Sequence, residues 1–295
     1  MNPLLQFDAR LLATVEDLPL LARTIVEGFL DGLHRSPFLG YSTEFASYRQ
    51  YVQGDNLRHL DWKVWARSDA LYVKQFEDDT NYRAQVYLDT SASMDFGKEA
   101  ANKFTYGRLL AAALAHLMVL QRDAPGLALF GPDSRQALPC AATRHHAMDL
   151  FALLANAKAG GGTVVGQDLF GIVQAVYRRG ISVVISDFFT AEDAGFELLR
   201  QLHAHRQETI VFQLLSPEEL DLPYEGEWIL EDSESAEERI VHVDDIRKGY
   251  QQRLNAFCEK VKSECLGYEF DHVLLRTGEP LDKALMAYLE RRANV

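Results

Sequence analysis

Hydrophobic positions along the chain follow two different spacings, and the way these alternate predicts the fold class. In segments such as 18–33 and 98–121, apolar residues recur every three or four positions, which is the spacing of an amphipathic helix. Between such segments lie short continuous apolar runs, typical of strands that are covered on both faces. From residue 84 onward strand and helix alternate, which predicts an α/β fold built on a doubly wound, mostly parallel sheet.

The positions of the predicted elements indicate where a ligand would bind. Strands are predicted at 84–88, 127–130, 136–139, 181–186, 209–215 and 268–273, and helices at 98–121, 145–157, 167–178, 194–205, 244–264 and 281–291. Open α/β sheets bind ligands at the carboxyl ends of strands, beside the point where the strand order reverses. We expect the strands at 84–88 and 181–186 to lie side by side at that point.

The first 80 residues differ in composition from the rest of the chain. After the first predicted helix, the segment 36–79 is rich in Tyr, Trp, Arg and Asp and carries turn signals at Gly40 and Gly54. Continuous apolar runs begin only afterwards. We therefore expect residues 1–80 to form an N-terminal helix and extended segment packed on the core, and residues 81–295 to form the α/β domain.

Charge and composition narrow the classes of function. The 295 residues carry 30 Lys and Arg against 43 Asp and Glu, a net charge of −13. This balance argues against a nucleic-acid or membrane-surface binder, because both need clustered positive charge. Three scattered cysteines indicate neither a disulfide framework nor a zinc site. The longest apolar stretch, 109–120, is shorter than the roughly 20 residues of a membrane span, so we expect a soluble, cytoplasmic protein without membrane insertion.

Oxygen-bearing side chains gather at the expected ends of the two neighbouring strands. Asp89, Ser91 and Ser93 follow the first of them, and alternate residues of an extended segment project to the same side. Asp187 follows the second strand, and Thr163 lies on a glycine-rich loop that can fold over the crevice. Carboxylates and hydroxyls suit Mg²⁺, with Mn²⁺ or Ca²⁺ as alternatives, and suit zinc poorly. These five residues are the predicted metal ligands.

Other interpretations of the same residues remain open. Asp and Ser side chains also bond their own backbone in turns, which would leave a metal-free scaffold. An Asp at the end of the first strand also begins the site of Mg²⁺-dependent phosphotransferases of the haloacid dehalogenase type. That chemistry needs a second Asp two residues later as acid and base, and Ser91 cannot serve because the pKa of a hydroxyl lies far above neutral. The substitution favours a binding protein over an enzyme.

The candidate metal residues resemble the metal-ion-dependent adhesion site of von Willebrand factor A domains. Residues that precede them stand in the order seen in one bacterial family similar to those domains, domain-of-unknown-function family 58. The segments that carry the likeness are Gly32-Leu33-His34-Arg35-Ser36, Gly40-Tyr41-Ser42-Thr43-Glu44-Phe45, Tyr48-Arg49, Gly54-Asp55-Asn56-Leu57-Arg58, Asp61-Trp62 and Ala66-Arg67. The resemblance covers roughly residues 28–220.

This resemblance implies a von Willebrand factor A-like fold and a metal-dependent, non-catalytic protein-binding module. Members of the family are often encoded beside MoxR-type AAA+ ATPases, so the resemblance also implies an adaptor for such an ATPase. A cation held by one carboxylate and hydroxyls attracts an Asp or Glu from outside, and this is the group that we expect the protein partner to supply.

Overall fold

Contacts within the chain divide it into two compact units. The computed structural model describes residues 18–34, 48–50, 72–74, 82–131, 136–160, 180–189, 194–231 and 238–293. One unit comprises Met1–Phe29 with Tyr82–Val295, and the other comprises Leu30–Asn81. In the second unit, strand β1 (Tyr48–Gln50) pairs antiparallel with strand β2 (Tyr72–Lys74). The predicted packing of residues 1–80 on the core stays a prediction.

Strands and helices alternate through most of the described chain. The helices are α1 (Leu18–His34), α2 (Lys103–Leu120), α3 (Arg144–Asn156), α4 (Ala194–Ala204), α5 (Pro217–Asp221), α6 (Val243–Gly267) and α7 (Asp282–Ala293). The remaining strands are β3 (Arg83–Asp89), β4 (Ala124–Phe130), β5 (Ala137–Leu138), β6 (Ile181–Ser186), β7 (Glu208–Leu215), β8 (Glu227–Glu231), β9 (Glu238–His242) and β10 (Asp271–Arg276). Short 3₁₀ turns at Ala92–Met94 and Glu99–Ala101 link β3 to α2.

A six-stranded sheet forms the centre of the larger unit. Its strand order is β10–β7–β6–β3–β4–β5, and all neighbours are parallel except β5, which runs antiparallel to β4. The chain is therefore an α/β protein with a mostly parallel sheet, as the hydrophobic pattern predicts. Residue Ala84 of β3 is the register partner of Ile181 of β6, which confirms the predicted adjacency of these two strands.

Close packing of α2 on the sheet positions the start of that helix. The four central strands β7, β6, β3 and β4 are almost wholly buried. At Gly107 the helix lies directly on them, since an added Cβ would come 3.0 Å from Leu88 Cδ1 and 3.3 Å from Leu214 Cδ1. The first residue of α2, Lys103, thereby reaches the carboxyl end of β6.

Strand β4 begins earlier than the sequence predicts. The Pro125-Gly126 pair reads as a turn, yet the strand starts at Ala124. The carbonyl of Pro125 accepts hydrogen bonds from Ala141 N and His146 Nε2, so its polar groups face away from β3. A proline is tolerated at such an outward-facing position because the missing N–H breaks no ladder bond.

Candidate metal centre

Two adjacent strands of the sheet end in buried carboxylates. Asp89 is the last residue of β3 and Asp187 follows the last residue of β6, and both are fully buried. Each carboxylate closes the same kind of turn, because Ser91 N donates to Asp89 Oδ1 at 2.8 Å and Phe189 N donates to Asp187 Oδ1 at 3.0 Å. The turn interpretation of the Asp and Ser residues therefore holds locally, and it uses one oxygen of each carboxylate.

Two hydroxyl groups connect the strand ends. Ser91 Oγ and Ser93 Oγ lie 3.1 Å apart, and Ser93 Oγ donates to Asp187 Oδ1 at 3.1 Å. A hydroxyl has a single proton and Ser93 gives its proton to Asp187, so no described donor occupies the lone pairs of Ser91 Oγ. The structure thus brings together four of the five predicted ligand residues, namely Asp89, Ser91, Ser93 and Asp187.

Thr163 lies outside the described residues, as does the helix predicted at 167–178. The described chain stops at Gly160, whose N–H donates to the carbonyl of Thr90 at 3.1 Å. Gly160 has φ +150°, a backbone conformation that favours glycine. The glycine-rich loop therefore leaves the described structure beside the Asp89 turn, and the role of Thr163 stays a prediction.

A buried lysine, which the sequence argument missed, lies at the same site. Lys103 Nζ contacts Asp187 Oδ2 at 2.6 Å and Glu219 Oε1 at 2.5 Å, and it lies 4.9 Å from the ring centroid of Phe189. The predicted helix 98–121 places Lys103 in its interior, whereas α2 begins at Lys103, and a cation in the first turn of a helix opposes the helix dipole and needs a compensating partner. Asn102 marks that first turn by capping Thr105 N at 2.9 Å.

Glu219 reaches the site through a capping box at the start of α5, formed by two residues at the spacing Ser-x-x-Glu. Ser216 Oγ accepts from Glu219 N at 3.1 Å, and Glu219 Oε2 accepts from Ser216 N at 2.7 Å. The second carboxylate oxygen, Oε1, is left to pair with Lys103. One side chain therefore both starts a helix and holds the buried ammonium.

Ser186 is a second residue that the sequence argument missed. Its Oγ donates to Asp89 Oδ2 at 2.5 Å and accepts from Phe188 N at 2.9 Å. The arrangement requires Phe188 to adopt φ +62°, a conformation uncommon for a large side chain. The last residue of β6 thus bonds the last residue of β3 across the strand ends.

Burial of these groups shifts their proton affinities. Burial, and then the negative charge of Asp187, raise the pKa of Asp89 to about 7, against the opposing hydrogen bonds from Ser186 and Ser91. Burial raises the pKa of Glu219, opposed by the charge of Lys103. Burial alone would lower the pKa of Lys103, but the two carboxylates outweigh it and raise that pKa. Negative charge is therefore in excess at the site.

The donor set fits a hard divalent cation. When all four groups are ionised, three carboxylates and one ammonium carry a net charge of −2, and the partners described for Asp89 are the neutral donors of Ser91 and Ser186. Carboxylates and hydroxyls suit Mg²⁺ rather than soft metals. In the described ranges, no group of three or more His, Cys, Asp or Glu is placed to hold a metal, so a cation here would depend on the hydroxyls of Ser91 and Ser93.

Proteins similar to this chain come from bacteria. The uncharacterized protein Rv1480 of Mycobacterium tuberculosis is 29% identical over 243 residues, which cover 80% of this chain and 75% of that protein. Among solved structures, an aerotolerance-related membrane protein from Bacteroides fragilis has a TM-score of 0.44 at 16% identity, covering 71% of this chain and 99% of its own. An uncharacterized membrane spanning protein from Vibrio fischeri has a TM-score of 0.23 at 12% identity, covering 72% of this chain and 98% of its own.

The predicted cytoplasmic location is wrong by this comparison, because both of these solved structures are described as membrane proteins. Across the described ranges, every helix is too short or too polar to cross a bilayer.

A protein-family model matches the part of the chain that contains the candidate metal centre. The match covers residues 47–259, well over half of the chain, and includes Asp89, Ser91, Ser93 and Asp187. Neither the family description nor the mycobacterial relative names a catalytic activity. The chain belongs to the family described as protein of unknown function DUF58.

Proposed function

We propose that this chain is a non-catalytic protein-binding module that contacts its partner through a divalent cation. Asp89, Ser91 and Ser93 would hold the cation, which is Mg²⁺ with Mn²⁺ or Ca²⁺ as alternatives. Thr163 would contribute from the glycine-rich loop. The bound cation would supply an electrophilic position for a carboxylate of the partner. We extend the proposal to a von Willebrand factor A-like fold, which the parallel sheet and the placement of the site at its strand ends support.

The observation that carries this proposal is the setting of Asp89. It is fully buried, it lies beside the buried carboxylate of Asp187, and its described partners are the neutral donors of Ser91 and Ser186. An isolated buried carboxylate is costly unless a counter-charge accompanies it. A cation beside Asp89 provides that counter-charge, and the lone pairs of Ser91 Oγ face no competing donor among the described hydrogen bonds.

Lys103 gives the two carboxylates different roles, because it pairs with Asp187 and leaves Asp89 for the cation. Because Asp187 already contacts Lys103 through Oδ2 and both Ser93 and Phe189 through Oδ1, it is poorly placed to be a direct ligand. We therefore assign Asp187 a contact through water and leave Asp89 as the direct carboxylate ligand. A site with a single direct carboxylate binds Mg²⁺ weakly, since this ion keeps several of its waters.

The charges at the site and on the whole chain indicate which charged groups the partner must carry. A cation with one direct carboxylate keeps much of its electrophilicity and attracts an Asp or Glu from outside. The net charge of −13 repels acidic proteins at long range, so the partner must present basic residues around its ligating acid. A MoxR-type AAA+ ATPase is the leading candidate, on the family resemblance.

The metal site is tested by isothermal titration calorimetry. The full-length protein is stripped of metal with a chelator, freed of the chelator and titrated with MnCl₂. We expect a binding signal that disappears in Asp89→Ala and weakens in Ser91→Ala, the milder variant that keeps every charge. Asp149→Ala removes a half-exposed carboxylate of α3 and should bind as the parent does. Unchanged Mn²⁺ binding in Asp89→Ala would show that the ion binds elsewhere, and would leave this site as the metal-free scaffold in which Lys103 alone balances the carboxylates.

The binding role is tested by retention of a purified MoxR-type ATPase on the immobilised chain. Retention should fall with chelator and with Asp89→Ala, and should be unchanged in Glu234→Ala, which lies in the acidic run 231–238 of the sequence. If chelator and Asp89→Ala both leave retention unchanged, the ATPase contacts another part of the chain. Metal-dependent release of phosphate from a generic ester, abolished by Asp89→Asn, would instead establish the phosphotransferase alternative.

A further inference from the structure

The ammonium of Lys103 is held in place from several sides. Its Nζ lies 2.6 Å from Asp187 Oδ2 and 2.5 Å from Glu219 Oε1, and only 1% of the side chain is exposed. Glu219 is itself fixed, because its other oxygen accepts from the N–H of Ser216 at 2.7 Å. The ring of Phe189 covers the ammonium, with its centroid 4.9 Å from Nζ. The fold itself therefore keeps a positive charge beside Asp187.

The contacts of Asp187 oppose direct binding of a metal ion to this carboxylate. Oδ1 accepts from Ser93 Oγ at 3.1 Å and from Phe189 N at 3.0 Å, and Oδ2 contacts the ammonium. A cation that approached Oδ2 would also meet Lys103, and two positive charges repel one another strongly in a buried site of low dielectric constant. Asp89 differs, because its described partners are neutral donors.

Distance does not keep Asp187 away from the candidate ligands. Ser93 Oγ lies 3.1 Å from Asp187 Oδ1 and also 3.1 Å from Ser91 Oγ. Sites for divalent cations bind more tightly as more carboxylates contact the ion, so a second direct carboxylate would strengthen this one. Pairing with Lys103 is the described feature that withholds it.

We infer that Lys103 is a positioning residue that keeps the cation weakly held, because it binds Asp187 and leaves a water in the position on the ion that this carboxylate would take. The inference rests on the metal site proposed above and adds what sets its affinity and hydration. A cation with one carboxylate fewer keeps more positive charge for the Asp or Glu of a partner. Removing the ammonium should therefore tighten metal binding, whereas loss of a residue with only a structural role would weaken it.

The test compares the full-length parent with the double variant Lys103→Met/Glu219→Gln. This variant removes one positive and one negative charge, so the net charge of the four groups stays at −2, and the amide oxygen can still accept from Ser216 N. We expect titration with MnCl₂ to show binding at least about tenfold tighter than in the parent. The relaxation of water protons should show one water fewer on the bound Mn²⁺. Adding Asp187→Asn to the double variant should abolish both changes.

Arg23→Met/Glu27→Gln is the matched control, because it removes an exposed ion pair of α1, at 2.7 Å, by the same two substitutions. It should bind Mn²⁺ as the parent does. A further comparison does not depend on the double variant being folded, since Asp89→Asn and Asp187→Asn remove the same charge. We expect the affinity for Mn²⁺ to fall at least about tenfold further in Asp89→Asn, because only Asp89 contacts the ion directly.

Circular dichroism checks that each variant is folded. Binding by the folded double variant that is no tighter than in the parent would overturn the inference, as would an unchanged number of waters on Mn²⁺. Equal losses in Asp89→Asn and Asp187→Asn would overturn it too. In these cases the proposed metal site still stands if Asp89→Ala abolishes binding, whereas a parent and variants that all fail to bind Mn²⁺ would overturn the site and the inference together.

Discussion

Replacing Lys103 by Met tests how the buried charges of the candidate metal centre are balanced. Met keeps an unbranched apolar side chain and removes the ammonium that contacts Asp187 at 2.6 Å and Glu219 at 2.5 Å. The side chains of Lys103 and Asp187 are almost completely buried and that of Glu219 is 10% exposed, so water cannot replace the lost cation. Removing one member of a buried ion pair costs roughly 3–5 kcal/mol of unfolding free energy.

The loss is measured by urea denaturation and by thermal denaturation at alkaline pH, on protein from which metal has been removed with a chelator. At roughly 2–4 °C per kcal/mol, the melting temperature should fall by at least about 6 °C. Burial raises the pKa of Glu219 and the charge of Lys103 opposes that shift, so without the ammonium the pKa of Glu219 lies still further above its ordinary value. A group with a raised folded pKa stabilises the protein at low pH and loses that contribution as the pH rises. The destabilisation should therefore shrink when the pH is lowered towards the ordinary range of carboxyl titration.

Lys260→Met provides the control, because Lys260 is exposed and its Nζ lies over the Phe196 ring at 4.6 Å from the centroid. An exposed cation–π contact is worth roughly 0.5–1 kcal/mol, so this variant should remain close to the parent. Equal stability of Lys103→Met and the parent at alkaline pH would contradict this charge balance. A loss of the same size at acidic and alkaline pH would contradict it too.

Two further predictions concern other buried charges. The pKa of Asp89 is raised to about 7, so its stabilising contribution is complete below the ordinary value of 3.8 and is lost as the pH rises through about 7. The unfolding free energy of the metal-free protein, measured by urea denaturation at a series of pH values, should decline over that window, and Asp89→Asn should flatten the decline. An unchanged slope in Asp89→Asn would contradict the assignment. Arg292→Ala removes two hydrogen bonds to buried Asp123, at 2.7 and 3.0 Å, and should lower the unfolding free energy by roughly 1.5–3 kcal/mol in urea denaturation. The control Arg200→Ala breaks a mostly exposed ion pair and should lower it by less than about 0.5 kcal/mol. Equal losses in the two variants would show that the burial of Asp123 does not set the size of the effect.

The order of elements and the place of the site could be predicted from sequence because both follow local rules. Continuous apolar runs identify buried strands, and the residue after such a run must lie at the edge of the sheet. Asp89 and Asp187 satisfy that rule, and β3 and β6 are neighbours as expected. The capping box at Ser216 follows a local rule as well, since its two partners are three residues apart.

The residues that complete the site could not be predicted because their roles depend on contacts between distant parts of the chain. Lys103 falls inside a predicted helix, and only the position of its first turn on the sheet brings its ammonium to Asp187. Glu219 caps α5 with one oxygen, and nothing in the sequence shows where the other oxygen lies. Pro125 illustrates the same limit, since its place in β4 depends on which side of the strand its carbonyl faces.

The sequence separations across the candidate metal centre have a consequence for synthesis and folding. Ser186 and Asp187 lie 97 and 94 residues from their partners Asp89 and Ser93, and Glu219 lies 116 residues from Lys103. Such distant contacts form only after long loops have closed, which slows their appearance. While the chain emerges from the ribosome, Asp89 and Lys103 stay hydrated until β6 and α5 have been made. The centre therefore cannot close before residue 219 has been made, and β10, which completes the sheet at Asp271–Arg276, is added only afterwards.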